Sequence, residues 1–350
     1  MSDIRTLPLL DCSALAPLLD ASDFPEGTFG WFQTLAQTTL APGEEATVVA
    51  AFDEAGTIRA ALPLAAHKTG QLRALTAPYT TRYTPMLADA NWAKLLGAAA
   101  GSYVRTTLRF DALDATDPGM AAFLSGLELS PLPSARFAHF LNWHDHISDF
   151  DRYWQERPGQ LKSTVERKLS SLSKKHVLQF ECATERDEID QALATYEEVY
   201  NSSWKPVEPY PLFIGVMAQT LCQYRSVRLA TLKIDGVAVA AQIWLVAGDK
   251  ATIFKLAHSQ NTGQFSPGTL LTHWMLARLC RGENIHEVDF GRGGDSYKRD
   301  WLTNSSQRTG LIVANWKSVA GCSALLREIL PTRLSNIVHG FKGHSEAHQK

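Results

Sequence analysis

A fixed order of strands and helices occurs twice in this sequence, and this repetition limits the available folds more than any other feature. In the second half, two strand candidates flank Asp235-Gly236, a dipeptide typical of a two-residue β-hairpin turn. A third strand, a helix and a further strand follow. Because the helix connects two strands of one sheet, these two must run parallel, whereas the hairpin strands run antiparallel. The sequence therefore predicts a mixed α/β sheet, with these elements at residues 226–234, 237–246, 251–257, 267–281 and 285–290.

The first half has the same order, about 180 residues earlier. Its hairpin strands, third strand, helix and next strand are expected at residues 46–53, 58–67, 71–77, 90–100 and 103–110. Each half then continues with a short helix and a last strand, at 135–143 and 308–315 respectively. We expect two similar domains, residues 1–145 and 146–320, followed by a tail, 321–350. The alternative is that two unrelated mixed domains share only this coarse order.

The charge balance and the apolar segments exclude some classes of protein. Lys and Arg number 34 against 36 Asp and Glu, so the formal charge is −2, which argues against a protein that mainly coats nucleic acid. The longest apolar segment, residues 237–246, is interrupted by Gln242 and is far too short to cross a membrane. The N-terminal residues lack a charged and then apolar signal pattern, so we expect a cytoplasmic protein.

The five cysteines lie far apart, and no pair has the close spacing of a zinc or redox motif. We therefore expect reduced structural thiols and no metal site, with cysteines at positions 12, 182, 222, 280 and 322.

A basic segment lies between the two halves. Leu161, Val165, Leu169 and Leu172 recur at helical spacing, and five lysines and arginines fill other positions between 162 and 175. One interpretation is an amphipathic helix with a solvated face. The other is a patch for an anionic ligand, such as a nucleotide tail or RNA.

The segment HSQNTGQFSPGTLL, residues 258–271, joins a strand to a helix. Ser266 suits the N-cap, Pro267 suits the first helical position, and Gly268 lets a ligand approach the backbone closely. Because the first N–H groups of a helix lack partners and the dipole favours anions, this start could bind phosphate, or it could be only a sound helix start. The preceding QNTG is similar to the beginning of a coenzyme A pyrophosphate loop, although Phe265 stands where that loop has Gly or Ala.

The segment VDFGRGGDSYKRDW, residues 288–301, follows the next strand. Asp289 lies at the strand end, where open sheets gather ligands, and three glycines come after it. Tyr297 could donate a proton, and Lys298 could hold a phosphate or carboxylate. The alternative is a glycine turn in which Asp289 caps its neighbours.

Three further residues are weaker candidates for substrate binding. His258 could act as a base near the helix start. Gln242 needs a partner if it is buried, and it lies either in a cleft or at an edge. In the first half, Met86 takes the place of Gly268, so we expect the second half to carry the active site and Tyr83 to help shape the acceptor cleft.

Residues 160–300 resemble the GNAT-type acetyltransferase domain of CelD/BioF2-like proteins, which are related to the FemAB peptidyltransferases. The segments that carry the resemblance are QLKSTVERKLSSLSKKH, DGVAVAAQIWLV, FSPGTLL and DFGRGGDSYKRDW. Families of this kind often have two tandem GNAT domains, which agrees with the repeat.

The resemblance implies an acyltransferase in which an amine attacks an acyl carbonyl directly. The donor is expected to be acetyl-CoA or another acyl-CoA, with Ser266, Gly268 and Thr269 at its pyrophosphate. Asp289, Tyr297 and Lys298 fall in the second signature segment and are the expected catalytic residues. The acceptor would be a small amine or amino sugar.

Two other functions stay open at this point. A FemAB-like aminoacyltransferase would use aminoacyl-tRNA, which the basic segment favours. A tandem GNAT protein could also bind ligands without catalysis.

Overall fold

A computed structural model describes residues 3–11, 13–15, 18, 22 and 24–327 of the chain. Cys12 and residues 328–350 of the expected tail lie outside the described residues. The described chain divides into two compact units. Unit 1 draws on Met1–Leu19, Leu40–Phe140 and Gln307–Lys350, and unit 2 on Asp20–Thr39 and Leu141–Ser306. The division near the middle of the chain falls at 140/141, where the sequence suggests 145/146.

The strands in chain order are β1 (Asp3–Pro8), β2 (Glu44–Phe52), β3 (Ile58–His67), β4 (Gln71–Ala74), β5 (Met86–Leu87), β6 (Thr107–Leu113), β7 (Ser134–His146), β8 (Leu178–Ala183), β9 (Val227–Ile234), β10 (Val237–Ala247), β11 (Lys250–His258), β12 (Glu287–Arg292) and β13 (Asn304–Ala314). The helices are α1 (Phe29–Thr38), α2 (Ala90–Ala100), α3 (Pro118–Leu127), α4 (Phe150–Glu156), α5 (Gly159–Ser173), α6 (Arg186–Asn201), α7 (Phe213–Cys222), α8 (Pro267–Gly282) and α9 (Lys298–Trp301). The mixed α/β fold expected from the sequence is confirmed.

Unit 1 contains a mixed sheet with the strand order β1-β2-β3-β4-β6-β13. Strands β1 to β4 are antiparallel neighbours, β4 and β6 are parallel, and β6 and β13 are antiparallel. Helices α2 and α3 pack closely together because Gly97 and Gly126 have no side chains. A Cβ atom on Gly97 would lie 2.0 Å from the carbonyl oxygen of Phe123, so a larger residue there would force the helices apart.

Unit 2 contains a second mixed sheet with the strand order β8-β9-β10-β11-β12-β7. Its hairpin between β9 and β10 turns at Asp235 and Gly236, whose φ angles of 51° and 81° both fit the expected two-residue turn. The parallel pair is β11 and β12, which α8 connects. Apolar residues of α5 and α8, such as Val165 and Leu270, pack with β10 residues, including Trp244, in a buried core.

The last strands of the two units are exchanged relative to the sequence expectation. Thr309–Ala314 of β13 pair with β6 in unit 1, and the Asn142–His146 end of β7 pairs with β12 in unit 2. We expected the strand at 135–143 to complete the first half and the strand at 308–315 to complete the second, and this is wrong. Local patterns identify both strands but carry no information about which distant strand each one joins.

Candidate functional site

The parallel strands β11 and β12 pair over only a short stretch and then separate. Their register joins Lys250–Thr252 to Glu287–Asp289, whereas β11 continues to His258 and β12 to Arg292. Among the described strands, β11 has no partner on its β12 side beyond Thr252. A strand edge of this kind presents unpaired N–H and C=O groups that an extended ligand can use.

Helix α8 begins beside the end of this open stretch. Ser266 occupies the N-cap position, as the sequence predicts, but its φ of 53° and ψ of 46° are left-handed and its side chain makes no capping hydrogen bond. Pro267 is the first helical residue, and the Leu270 N–H donates to the Ser266 carbonyl over 3.1 Å. Within the described chain, the N–H groups of Gly268 and Thr269 have no hydrogen-bond partner. These donors and the helix dipole together suit an anion.

The residues before α8 fold differently from an open pyrophosphate loop. Gln260–Phe265 form a 3-10 helix, and the Thr262 hydroxyl donates to the Ser259 carbonyl over 2.8 Å. The Lys168 ammonium of the basic helix α5 donates to the Gln264 carbonyl. One cation of α5 therefore lies against the segment that leads into α8.

Gln242 is almost wholly buried and fixes α8 to β10. Its amide nitrogen donates to the Thr272 hydroxyl over 2.7 Å and reaches the Gly268 carbonyl at 3.3 Å. Its amide oxygen accepts from the Trp244 indole N–H over 2.8 Å. These are the partners that a buried amide requires. The predicted contact with substrate stays a prediction.

His258 ends β11 next to the first turn of α8. A Cβ atom placed on Gly268 would lie 3.5 Å from Cδ2 of the His258 ring, and the Trp204 ring lies 4.4 Å from that ring, centre to centre. The Nδ1 atom is 3.1 Å from the Ser259 carbonyl oxygen, so Nδ1 carries the proton in the neutral ring. This leaves Nε2 as an acceptor, and no described residue is hydrogen-bonded to it.

The Asp289 carboxylate holds the turn that follows β12. One oxygen accepts from the Asn142 amide and the other from the Gly291 N–H, each over 2.6 Å. Gly291 has a φ of 63°, a conformation that glycine adopts without strain. Asn142 was missed by the sequence analysis because nothing in its own strand marks it.

Lys298 is only 3% exposed, and it closes the same turn from the other side. Its ammonium donates to the Arg292 carbonyl over 2.6 Å and lies 3.6 Å from the Asp295 carboxylate. Burial lowers the pKa of Lys298, and Asp295 partly opposes this. For Tyr297, burial and the nearby Asp295 raise the pKa of the phenol, so it is protonated at neutral pH.

Comparison with known proteins matches part of this chain to a known family of domains. Residues 159–299 match the family model Acetyltransf_6, described as an acetyltransferase (GNAT) domain. This segment of the chain is similar to GNAT acetyltransferase domains. The resemblance of residues 160–300 noted from the sequence is therefore confirmed, as is the assignment as an acyltransferase. A search of curated proteins found no match.

Several solved structures share the fold over nearly the whole chain. FemX has a TM-score of 0.62 at 11% identity, covering 93% of this chain and 99% of FemX. The C-terminal domain of a putative lysylphosphatidylglycerol synthetase from Agrobacterium fabrum has a TM-score of 0.57 at 15% identity, covering 91% and 96%. L-PGS from Bacillus licheniformis has a TM-score of 0.53 at 12% identity, covering 93% and 96%. At these identities the likeness establishes the fold alone.

The contacts described above form two groups of expected site residues. Gln242 and His258 lie against Gly268 of α8, and Asp289 and Lys298 hold the turn after β12. Tyr83 belongs to unit 1, is 1% exposed, and donates from its hydroxyl to the Pro63 carbonyl over 2.6 Å. Its predicted role in substrate binding stays a prediction. Residues 202–212 are called the α6–α7 loop below, and Lys205 and Glu208 lie there.

Two kinds of feature are absent from the described residues. No group of three or more His, Cys, Asp or Glu side chains there could hold a metal ion. No described helix is both long and apolar enough to cross a bilayer.

Proposed function

We propose that this chain transfers an acyl group from an acyl-CoA thioester to a small amine or amino sugar. The observation that carries the proposal is the pair of unpartnered N–H groups on Gly268 and Thr269, beside the end of β11, where β11 has left β12. Two free N–H groups at a helix start favour an anionic ligand. The open strand edge favours an extended chain that contains amides.

The donor would bind through backbone groups. The N–H groups of Gly268 and Thr269 would donate to the pyrophosphate, with the left-handed Ser266 placing α8 for this contact. The two amides of a pantetheine chain would pair with the open edge of β11 beyond Thr252, as an added strand does. Such binding fixes the thioester with respect to the acceptor and removes much of the entropic barrier to their reaction.

In the chemical step, the acceptor nitrogen attacks the thioester carbon and the thiolate leaves. Nε2 of His258 is the acceptor for the proton that the amine loses, because Nδ1 is already committed to Ser259. The Tyr297 phenol is the donor for the leaving thiolate. Asp289 and Lys298 hold the turn at Gly291, which keeps Tyr297 in place.

The test is calorimetric titration with acetyl-CoA, using two glycines of the same helix. A Cβ atom on Gly268 would meet only His258, at 3.5 Å, and a Cβ atom on Gly282 would meet nothing within 4 Å, so both alanine variants should fold. We expect Gly268→Ala to weaken binding about tenfold or more, the scale of one lost charge-assisted hydrogen bond. Gly282→Ala should bind as the wild type does.

Failure of acetyl-CoA and longer acyl-CoA thioesters to bind the wild type would overturn the proposal. Equal affinity in a well-folded Gly268→Ala variant would remove the pyrophosphate assignment. Release of free thiol with a panel of amines measures turnover. Binding of both ligands without thiol release would favour a non-catalytic tandem GNAT protein.

A FemAB-like aminoacyltransferase is the second candidate, and helix α5 favours it. Its Lys168 touches the segment before α8, and Lys174 and Lys175 are exposed directly after its C-terminal end. A protein that binds tRNA through such cations loses affinity steeply as salt rises. Binding of labelled tRNA should then weaken strongly between about 50 and 200 mM salt, and Lys174→Gln with Lys175→Gln should reduce that slope by about two.

A further inference from the structure

The α6–α7 loop is fixed across the second half of β11. The Gln260 N–H donates to the Ser202 carbonyl over 3.1 Å, and the Tyr200 hydroxyl donates to the Pro206 carbonyl over 2.8 Å. The Trp204 ring packs on His258. Lys205 therefore projects from a loop whose position is set on both sides.

The ammonium groups nearest to Lys205 already have partners. Lys255 of β11 pairs with Glu208 over 2.7 Å, and both side chains are mostly buried. Lys298 donates to the Arg292 carbonyl. Neither group needs a further anion.

Lys205 differs from both, because its Nζ atom has no hydrogen bond or ion pair within the described part of the chain. Its side chain is half-buried, and its backbone N–H is held by the Ser203 hydroxyl over 3.3 Å. Burial and the positive charges of Lys255 and Lys298 lower the pKa of Lys205, and Glu208 and Asp295 partly oppose this. A half-buried cation beside other cations is costly unless an anion joins it.

Lys205 lies near Lys255 of β11, which sets the face of the sheet that Lys205 shares. Gln242 of β10 points to the face of the sheet that α8 covers. Its neighbour Ile243 points to the opposite face, because successive residues of a strand alternate between faces. Lys255 pairs with Ile243 and therefore also points away from α8. The phosphate position at Gly268 is on the α8 face. Trp204 of the loop reaches His258 beside α8, whereas Lys205 lies near Lys255 on the other face, where it would meet the acceptor and not the pyrophosphate.

We propose that Lys205 binds an oxyanion of the acceptor, so that the preferred acceptor is an amine that also carries a carboxylate or phosphate group. This rests on the proposed acyl transfer and narrows its substrate class from amines in general to anionic amines. Lys205 is a specificity-determining residue in this proposal. It takes no part in proton transfer.

The first experiment compares acceptors that differ only in the anion. Glycine with glycinamide tests a carboxylate, and glucosamine 6-phosphate with glucosamine tests a phosphate. For at least one pair, we expect the wild type to favour the anionic member at least tenfold in kcat/KM, mainly through KM. Lys205→Met should reduce that preference to near one, and Lys205→Arg should restore most of it. An unchanged preference in Lys205→Met, or no preference in the wild type, would overturn the proposal.

The second experiment does not depend on a donor or on turnover. Inorganic phosphate and acetate are titrated in thermal melts of the wild type, of Lys205→Met and of Lys317→Met, a matched change at an exposed lysine of unit 1. We expect at least one anion to stabilise the wild type and Lys317→Met more than Lys205→Met. Any phosphate bound at the Gly268 and Thr269 N–H groups would stabilise all three proteins equally. Equal stabilisation of all three, or of none, would count against an anion site even if acyl-CoA binds. Loss at Lys205 alone would support the site even if the donor is not an acyl-CoA.

Discussion

The side-chain amide of Gln242 donates to the Thr272 hydroxyl over 2.7 Å and thereby joins β10 to the second turn of α8. Gln242→Met keeps the length of the side chain but leaves Thr272 and the Trp244 indole without this partner. We expect a loss of about 1–3 kcal/mol in the free energy of unfolding, measured with urea, because buried polar groups become unsatisfied. Val237→Thr, at an exposed position of the same strand, should change it little. Unchanged stability with weaker acceptor binding would instead support the predicted role of Gln242 in substrate binding.

Substitution of His258 tests its role as the proton acceptor. His258→Phe keeps a ring against Trp204 but removes Nε2. We expect the rate of thiol release to fall by a factor of about 10² or more, while acetyl-CoA affinity stays within a few-fold, since general-base catalysis contributes on that scale. Trp204→Phe is the control for ring packing alone. If His258→Phe retains turnover, a different group or water accepts the proton.

Substitutions of Tyr297 and Lys298 should differ in their effect on the stability of the protein. No described residue is hydrogen-bonded to the Tyr297 hydroxyl, so Tyr297→Phe should unfold like the wild type while losing turnover about 10²-fold. Lys298→Met removes the contacts to the Arg292 and Gly293 carbonyls and should lower both stability and turnover. Thermal melts and thiol release on both variants measure this. Full activity in Tyr297→Phe would exclude its phenol as the proton donor.

The pH dependence of stability should report on His273 of α8. Its ring lies 4.4 Å from the Trp154 ring, and burial, together with Arg281, lowers its pKa to about 4. The unfolded chain, with an ordinary value near 6.5, binds a proton first as the pH falls. Stability should therefore be full above about pH 6.5 and decline from there towards pH 4. The decline should be smaller in His273→Phe, as shown by urea midpoints at pH 7.5, 5.5 and 4.5. An identical decline in both proteins would assign it to other groups.

Local sequence signals were sufficient to predict the positions of most helices and strands, including the first residue of α8. The Asp235-Gly236 turn and Pro267 at the first helical position are specified by the backbone preferences of those residues. The contacts that shape the site are not local. Asn142 and Asp289 meet although they are 147 residues apart, and neither carries a signal for the other. Likewise, Ser266 reads as an ordinary cap, and only the structure reveals its left-handed backbone.

The exchange of last strands has a consequence for synthesis on the ribosome. Thr309–Ala314 pair with the edge of β6 that β4 leaves free, so the sheet of unit 1 cannot be completed until residue 314 has emerged from the ribosome. Until then one edge of β6 has unpaired N–H and C=O groups. Such an edge can pair with the wrong strand or with another chain. A fragment that starts at residue 146 would lack most of the β7 residues that pair with β12. The edge of β12 in unit 2 would then be exposed. We therefore expect neither residues 1–145 nor residues 146–320 to fold into a stable protein when expressed alone.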